Sequence, residues 1–328
     1  MKFNTTQDLK NETHRQLAHR MRSDCVLLNT PDHINIGDQL IWQGEIDFLF
    51  ELGIRPSYQT SLYHFDWRKF SKDTLILLHG GGNFGDVWDA HQGFRLKIIE
   101  TYKDNEILIF PQSVQYNDKN EILKDATSFS NHKNVTICAR DSFSFDLLKE
   151  HFSNEILLVP DMAFCSDYSK TKLVNTEKKL LLKRLDREIN NNIFYSEFSG
   201  FEIHDWPSYG ANFKYFSMRI FQKVNRLIGK HFISKSLSDT TFGIGMPWNR
   251  ENLIRLGVDF ISDYNLVVST RLHGHILALL LGVPTVMVDN NYGKNQRFYD
   301  TWLKDNNSSS LASNQIELKK LLDLKHSK

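Results

Sequence analysis

Short apolar runs alternate along this chain with polar, glycine-bearing loops, and residues of helical period follow most of the loops. Val26-Leu27-Leu28 leads into Asn35-Ile36-Gly37-Asp38 and then a helix through about Leu52. Leu75 to Leu78 runs into His79 to Asp86, a loop with four glycines in eight residues. Ile107 to Phe110 ends at Pro111, Val135 to Cys138 ends at Ala139-Arg140-Asp141, and Ile156 to Val159 ends at Pro160-Asp161. Runs of this length, apolar, rich in β-branched residues and bounded by turn signals, read as buried strands. Their alternation with helical segments predicts an α/β fold with a mainly parallel, doubly wound sheet.

The stretch Asp167 to Lys179 is polar and Lys-rich with no apolar period, which puts a domain boundary near 172/173. A second set of elements starts at Lys179-Leu180-Leu181-Leu182. It closes in a βαβ unit: a strand Leu266 to Ser269, an apolar helix Ile276 to Leu281 stopped by Gly282 and Pro284, and a strand Thr285 to Val288. The reading is residues 1–172 as one domain and 173–328 as another, with a terminal helix placed to pack back on the first.

Charge adds a negative result: 40 basic residues against 39 acidic ones leave no footprint for nucleic acid. Cys25, Cys138 and Cys165 are widely spaced in or beside apolar runs, as expected of buried reduced thiols. Met1 to Ser23 is polar throughout, and no apolar run reaches the roughly 18–20 residues that span a bilayer. A cytoplasmic location is expected. One segment qualifies it: within 214–235, Arg219, Lys223, Arg226 and Lys230 form a basic stripe beside an apolar face of Phe216, Ile220, Phe221, Val224, Leu227 and Ile228. Such a helix suits peripheral contact with an anionic membrane at its inner face, or simply packs on its own domain with a solvated basic side.

The densest chemistry lies at strand ends. Arg271, His273 and His275 stand where the Leu266–Ser269 run stops, and Lys294 lies on the loop leaving the next strand, after Asn290 and Tyr292. Cations at a helix start suit a small, highly charged anion. In the His79–Asp86 loop, glycines at 80, 81, 82 and 85 leave backbone N–H groups open to a ligand; the spacing only loosely matches a dinucleotide fingerprint. Asp38 reads as an N-cap that could also meet substrate hydroxyls, and Arg140 and Asp161 read equally as a salt bridge or as cleft residues. No Asp-x-Asp motif, metal-spaced cluster, nucleophile elbow or Walker loop is present, so no metal ligands and no cofactor are expected.

Together, Asn35-Ile36-Gly37-Asp38-Gln39, His79-Gly80-Gly81-Gly82-Asn83, Arg140-Asp141, Pro160-Asp161, Arg271-Leu272-His273-Gly274 and Asp289 to Lys294 resemble the polysaccharide pyruvyl transferase family. The resemblance runs from near residue 26 to near 300, loosely between 170 and 260. It implies two Rossmann-like domains facing across a GT-B-like cleft. It implies phosphoenolpyruvate as donor, a sugar or lipid-linked oligosaccharide as acceptor, and a pyruvate ketal with released phosphate as product. On this reading Arg271, Lys294, Arg140, Asn290, Tyr292 and the amide near Gly274 hold the donor. His273 is the first choice for acid–base work and His79 the second, with Asp38 as a further proton acceptor. Asn35, Gly37, Gly81, Gly82, Asn83, Asp86 and Asp161 face the acceptor. Two alternatives stand beside it: a metal-independent GT-B glycosyltransferase using a nucleotide sugar, and a non-catalytic subunit of polysaccharide assembly.

Overall fold

The computed structural model describes residues 2–184, 198–210, 217, 220, 223–224, 227, 250–289 and 293–326. The first sheet contains β1 (Cys25–Leu28), β2 (Tyr58–Thr60), β3 (Leu75–Leu78), β4 (Gly81–Phe84), β5 (Ile107–Val114), β6 (Val135–Ala139) and β7 (Glu155–Leu158). Its order is β2-β1-β3-β5-β6-β7, all parallel, with β4 paired to the end of β5. The second holds β8 (Lys179–Leu182), β9 (Phe201–His204), β10 (Leu266–Ser269), β11 (Thr285–Val288) and β12 (Leu311–Ala312), in the order β12-β11-β10-β8-β9, also all parallel.

Both sheets are built on one plan. The chain leaves the first strand to one side, then returns to continue on the other side. The reversal falls between β1 and β3 in the first sheet and between β8 and β10 in the second. Beyond the carboxyl ends of such a pair the connections diverge and leave a crevice, where open α/β sheets bind ligands.

The strands read as unbroken apolar runs because both faces are covered. Val26 and Leu28 enter one core cluster and Cys25 and Leu27 the opposite one, the two-residue period of a strand. Ile76 and Leu78 against Leu75 and Leu77 repeat the pattern in β3, as do Leu180 and Leu182 against Leu181 in β8. All three cysteines are free and buried, and burial pushes the Cys25 thiol up to about 11.

The helices flanking the sheets are α1 (Thr6–Leu17), α2 (Ile36–Glu51), α3 (Asp89–Thr101), α4 (Lys119–Ser130), α5 (Ser142–His151), α6 (250–262), α7 (Leu272–Leu281), α8 (Lys294–Phe298) and α9 (Gln315–His326). β7 ends at Leu158 and β8 begins at Lys179, on either side of the Lys-rich stretch. One apolar cluster nevertheless joins the two sheets. It combines Leu9, Ile36, Leu40 and Phe164 with Leu180, Leu182, Val267 and Ile276.

Three expectations change. The terminal helix α9 does not return to the first sheet; Leu318 and Leu322 pack beneath Leu181, Val268 and Val286 of the second. The crossing is made earlier, where Trp302 Nε1 donates to the Arg140 carbonyl at 2.8 Å and Ser142 N donates to Thr301 Oγ1 at 3.0 Å. The glycine-rich segment is not an open loop, because Gly81–Phe84 forms β4. Finally, α7 begins at Leu272 rather than Ile276, so His273, Gly274 and His275 lie on its first turn.

Candidate active site

At the end of β1 the chain turns through Asn29, buried and in the left-handed region at φ 65°. Asn35, not Asp38, caps α2: its side chain accepts from Gly37 N at 3.2 Å. Asp38 lies one turn in, where it accepts from Asn35 Nδ2 at 2.8 Å and meets His33 Nε2 at 3.3 Å. Burial works against ionising Asp38. His33, His273 and His79, aided by the Asn35 amide, outweigh it and hold its pKa below the ordinary carboxylate value.

His79 follows β3 and is held through its backbone and through Nδ1. Its N–H donates to the Leu28 carbonyl at 3.0 Å and its carbonyl accepts from Gln112 Nε2 at 2.7 Å. Its Nδ1 lies 2.8 Å from Glu45 Oε2, and the other Glu45 oxygen accepts from Gly80 N, also at 2.8 Å. Glu45 is wholly buried on α2. Gly44 beside it lets that helix meet the Met162 backbone, since a Cβ there would stand 1.8 Å from the Met162 carbonyl oxygen.

The glycines after His79 answer mainly to packing. A Cβ at Gly85 would lie 1.9 Å from the Gln115 carbonyl oxygen, and one at Gly80 would lie 2.9 Å from that of Pro111. Gly81 has φ 122°, a conformation side-chain-bearing residues rarely adopt. Gly82 borders a cationic group, with Arg140 Nη2 3.1 Å from its would-be Cβ. Asn83 is committed to the interior, its side-chain and backbone oxygens both taking hydrogen bonds from buried Arg95. Asp86 accepts from the backbone N–H groups of Asn117 and Asp118 at 2.8 Å and so anchors the start of α4. These two expected acceptor contacts are structural.

Asp161 joins the two sheets. Buried and following β7, it accepts from Ala163 N at 2.9 Å through Oδ1. Oδ2 takes Arg140 Nη1 at 2.7 Å and His273 Nε2 at 3.3 Å. Burial disfavours its charge, but His273 first and then Arg140 hold it far below the ordinary carboxylate range. Through these contacts Asp161 fixes the two cationic groups Arg140 and His273. Arg140 also donates from Nε to Ser113 Oγ at 2.9 Å. Gly37 completes the junction, since a Cβ there would meet His273 Nδ1 at 2.9 Å.

On the second sheet Arg271 precedes α7 as its N-cap residue. Its guanidinium forms a two-pronged pair with Asp205, Nη2 to Oδ2 at 2.7 Å and Nε to Oδ1, and its Cζ lies 5.4 Å from the Tyr209 ring centroid. Gly274 N donates to the Arg271 carbonyl at 3.1 Å, so that amide serves the turn rather than a donor. Gly274 is glycine because a Cβ would reach 2.2 Å from Leu182 Cδ2. Lys294 opens α8, and its neighbour Asn295 ties that start to the β10 end by donating to the Thr270 and Val288 carbonyls at 3.2 and 2.8 Å. Asn290 and Tyr292 lie outside the described residues. His275 is structural, buried between Thr285 Oγ1 at 3.0 Å and Ser309 Oγ at 2.7 Å.

Sequence reasoning missed Glu45, Asp205 and the pair His91–Asn29. His91, on the first turn of α3, lies with Nδ1 2.9 Å from Asn29 Oδ1, while the buried Asn29 Nδ2 makes no hydrogen bond. Burial, with Arg95 and His33, pushes His91 down to about 3, so the ring is neutral, with Nε2 as an acceptor. An Asn at a strand end, where a positive φ is tolerated, was the available signal.

Comparison with known proteins gives the family. The family model for "Polysaccharide pyruvyl transferase" matches residues 35–292. The chain is 31% identical over 291 residues to "Putative pyruvyl transferase EpsO" of Bacillus subtilis, covering 86% of each, and 27% identical to "Pyruvyl transferase 1" of Schizosaccharomyces pombe, covering 84% of this chain and 69% of that one. An uncharacterized Klebsiella pneumoniae protein of known structure shares the fold with a TM-score of 0.62 at 17% identity, over 93% of this chain and 98% of that one. The chain belongs to the polysaccharide pyruvyl transferase family.

Proposed function

We propose that this polysaccharide pyruvyl transferase uses phosphoenolpyruvate as donor and joins its enolpyruvyl carbon to two hydroxyls of one acceptor sugar as a ketal. The observation carrying this reading is the pairing of unlike chemistry across Asp161. Arg140 and His273 share that carboxylate, with Arg271 two residues from His273, while Asp38, which feels His33, His273 and His79 together, and the Asn29–His91 pair add uncharged or accepting groups nearby. Phosphoenolpyruvate carries a phosphate and a carboxylate close together and needs at least two cationic contacts. Arg271, Lys294 and Arg140 take them, within a GT-B-like cleft between the two sheets. His273, held by an ionised carboxylate, protonates the methylene carbon and leaves an oxocarbenium-like centre. A sugar hydroxyl attacks this centre as His79 or Asp38 takes its proton. The C–O bond to phosphate then breaks, the second hydroxyl closes the ketal, and its proton leaves with phosphate.

The acceptor side recognises neutral hydroxyls. His91 Nδ1 is taken by Asn29, and His91 Nε2 keeps a lone pair to which a hydroxyl can donate. Incubation with phosphoenolpyruvate and a panel of glycosides should release phosphate only with the right acceptor and give a new ketal methyl signal by proton NMR. Turnover of a nucleotide sugar with no phosphoenolpyruvate consumption would overturn the reading in favour of glycosyl transfer.

A lipid-linked acceptor calls for work at the inner membrane surface. No helix among the described residues is long and apolar enough to cross a membrane. Ile220, Val224 and Leu227 are exposed at helical spacing beside Lys223, the part of the basic amphipathic segment that lies within the described residues. Co-sedimentation with vesicles should require anionic lipid and weaken with salt; equal binding to neutral vesicles would remove this contact.

A further inference from the structure

We propose that Glu45 is a positioning residue that fixes His79 in its Nδ1–H form and thereby aims the Nε2 lone pair at the acceptor hydroxyl. The inference deepens the proposed reaction and rests on it for the role of Nε2; the tautomer itself stands on geometry alone. Glu45 sits on α2 with no exposed surface, and His79 is 2% exposed. The carboxylate uses one oxygen for each of two donors, Nδ1 of His79 and the amide of Gly80, both at 2.8 Å. An ionised carboxylate only accepts, so the proton of a neutral His79 ring resides on Nδ1. The second bond stops the carboxylate from turning away.

The surroundings leave the ring one orientation. Its backbone is held on both sides, by the Leu28 carbonyl and by Gln112. Gly80 lets the chain pass close enough to bond, since a Cβ there would stand 3.4 Å from Glu45 Oε1 and 2.9 Å from the Pro111 carbonyl oxygen. Among the described residues Glu45 has no other ion-pair partner than His79, and His79 Nε2 has no hydrogen bond. His79 bears on Asp38 together with His33 and His273, which sets the ring in the same polar group as the proposed acceptor site.

The two carboxylate–histidine pairs of the site are therefore arranged oppositely. His273 turns Nε2 to Asp161 and Nδ1 towards Gly37, at the seam between the sheets. His79 turns Nδ1 to Glu45 and keeps Nε2 for a ligand. A reaction that delivers one proton and removes another has use for both arrangements.

Glu45→Gln tests the assignment with little change of shape. Its amide oxygen still accepts from Gly80, while its NH2 donates to Nδ1 and forces the proton onto Nε2. Nitrogen NMR of histidine-labelled protein, with the His79 signal among the thirteen histidines assigned through His79→Gln, should report Nδ1–H in the parent and Nε2–H in Glu45→Gln. With phosphoenolpyruvate and a competent glycoside, kcat should fall about 100-fold with the KM for phosphoenolpyruvate within about threefold. Glu45→Asp, which keeps the acceptor but shortens its reach, should recover part of the rate. An Nε2–H parent ring overturns the tautomer claim whatever the enzyme transfers. A flipped tautomer in Glu45→Gln with kcat within threefold of the parent overturns the positioning role. If the parent turns over no phosphoenolpyruvate, the reaction fails and with it the role of Nε2, while the NMR result still decides the tautomer.

Discussion

The two sheets share a strand order and place their polar residues at the same topological point, yet they arm it with different chemistry. Beyond β1 and β3 the first sheet carries a lattice of short polar bonds, Asn35 to Asp38, Glu45 to His79 and His91 to Asn29, and its one cation of the proposed donor set, Arg140, stands apart after β6. The end of the second carries long cationic side chains, Arg271 braced by Asp205 and Lys294 carried in by Asn295. Topology explains where a ligand sits and leaves its identity open, so the contrast must come from side chains. Neutral donor–acceptor pairs suit hydroxyls; braced guanidinium and ammonium groups suit phosphate and carboxylate. Exchanging or removing these features on one side at a time measures how separate the two tasks are.

The largest effect belongs to the cationic side. Arg271→Ala should lower kcat/KM for phosphoenolpyruvate at least 100-fold, with acceptor KM little changed. It also removes the guanidinium partner of the Asp205 carboxylate, whose Oδ1 keeps its hydrogen bond from Trp206 N at 2.7 Å, at a cost of about 3 kcal/mol in stability. Calorimetry and donor-binding titration separate the two consequences, and Arg271→Ala with Asp205→Asn should regain most of the stability without regaining donor affinity. Unchanged affinity for phosphoenolpyruvate in the single variant would break the division between the sheets.

The seam gives an intermediate effect. Gly37→Ala introduces a methyl group 2.9 Å from His273 Nδ1 and 3.1 Å from its Cβ, while Asp161 holds the far side of the ring. The backbone at Gly37 is helical and favours alanine, so stability should change by less than about 1 kcal/mol. Activity should fall about 10- to 100-fold, because displacement of a reacting group by a fraction of an ångström to 1 Å has that cost. A fully active Gly37→Ala would show that the position of His273 is not critical.

Much of this was legible in the sequence, and the limits have physical causes. The runs at 26–28, 75–78, 179–182 and 266–269 became buried strands because a sheet covered on both faces accepts three or four successive apolar residues in so short a run. β2, β9 and β12 escaped notice: they are edge or near-edge strands of two to four residues with partly exposed positions. At the site, Arg140–Asp161 and Arg271–His273 were visible because strand ends mark the crevice. Glu45 and Asp205 were invisible, since each reaches its partner from 34 or 66 residues away and spacing encodes no such contact. The glycines of 80–85 misled for a related reason. Close backbone approach to a neighbouring strand and close approach to a ligand demand the same residue.

The smallest expected effect tests whether the hydroxyl-facing pair of the first sheet is neutral by design of its surroundings. His91 has its folded pKa pushed from 6.5 to about 3, chiefly by burial. The charged ring is excluded from the folded state, whereas the unfolded chain titrates near 6.5 and binds the extra proton below it. Stability therefore rises with pH through this window and falls as pH drops from about 6.5 towards 3. Between pH 7 and pH 5 the contribution amounts to about 1–2 kcal/mol. His91→Gln keeps an N–H for Asn29 Oδ1 but removes the titration, so urea midpoints at pH 7 and pH 5 should lie closer together than in the parent. An identical decline in parent and variant would mean that His91 accepts a proton readily. The pair would then suit an anion as well as a hydroxyl, and the contrast between the two sheets would lose its clearest element.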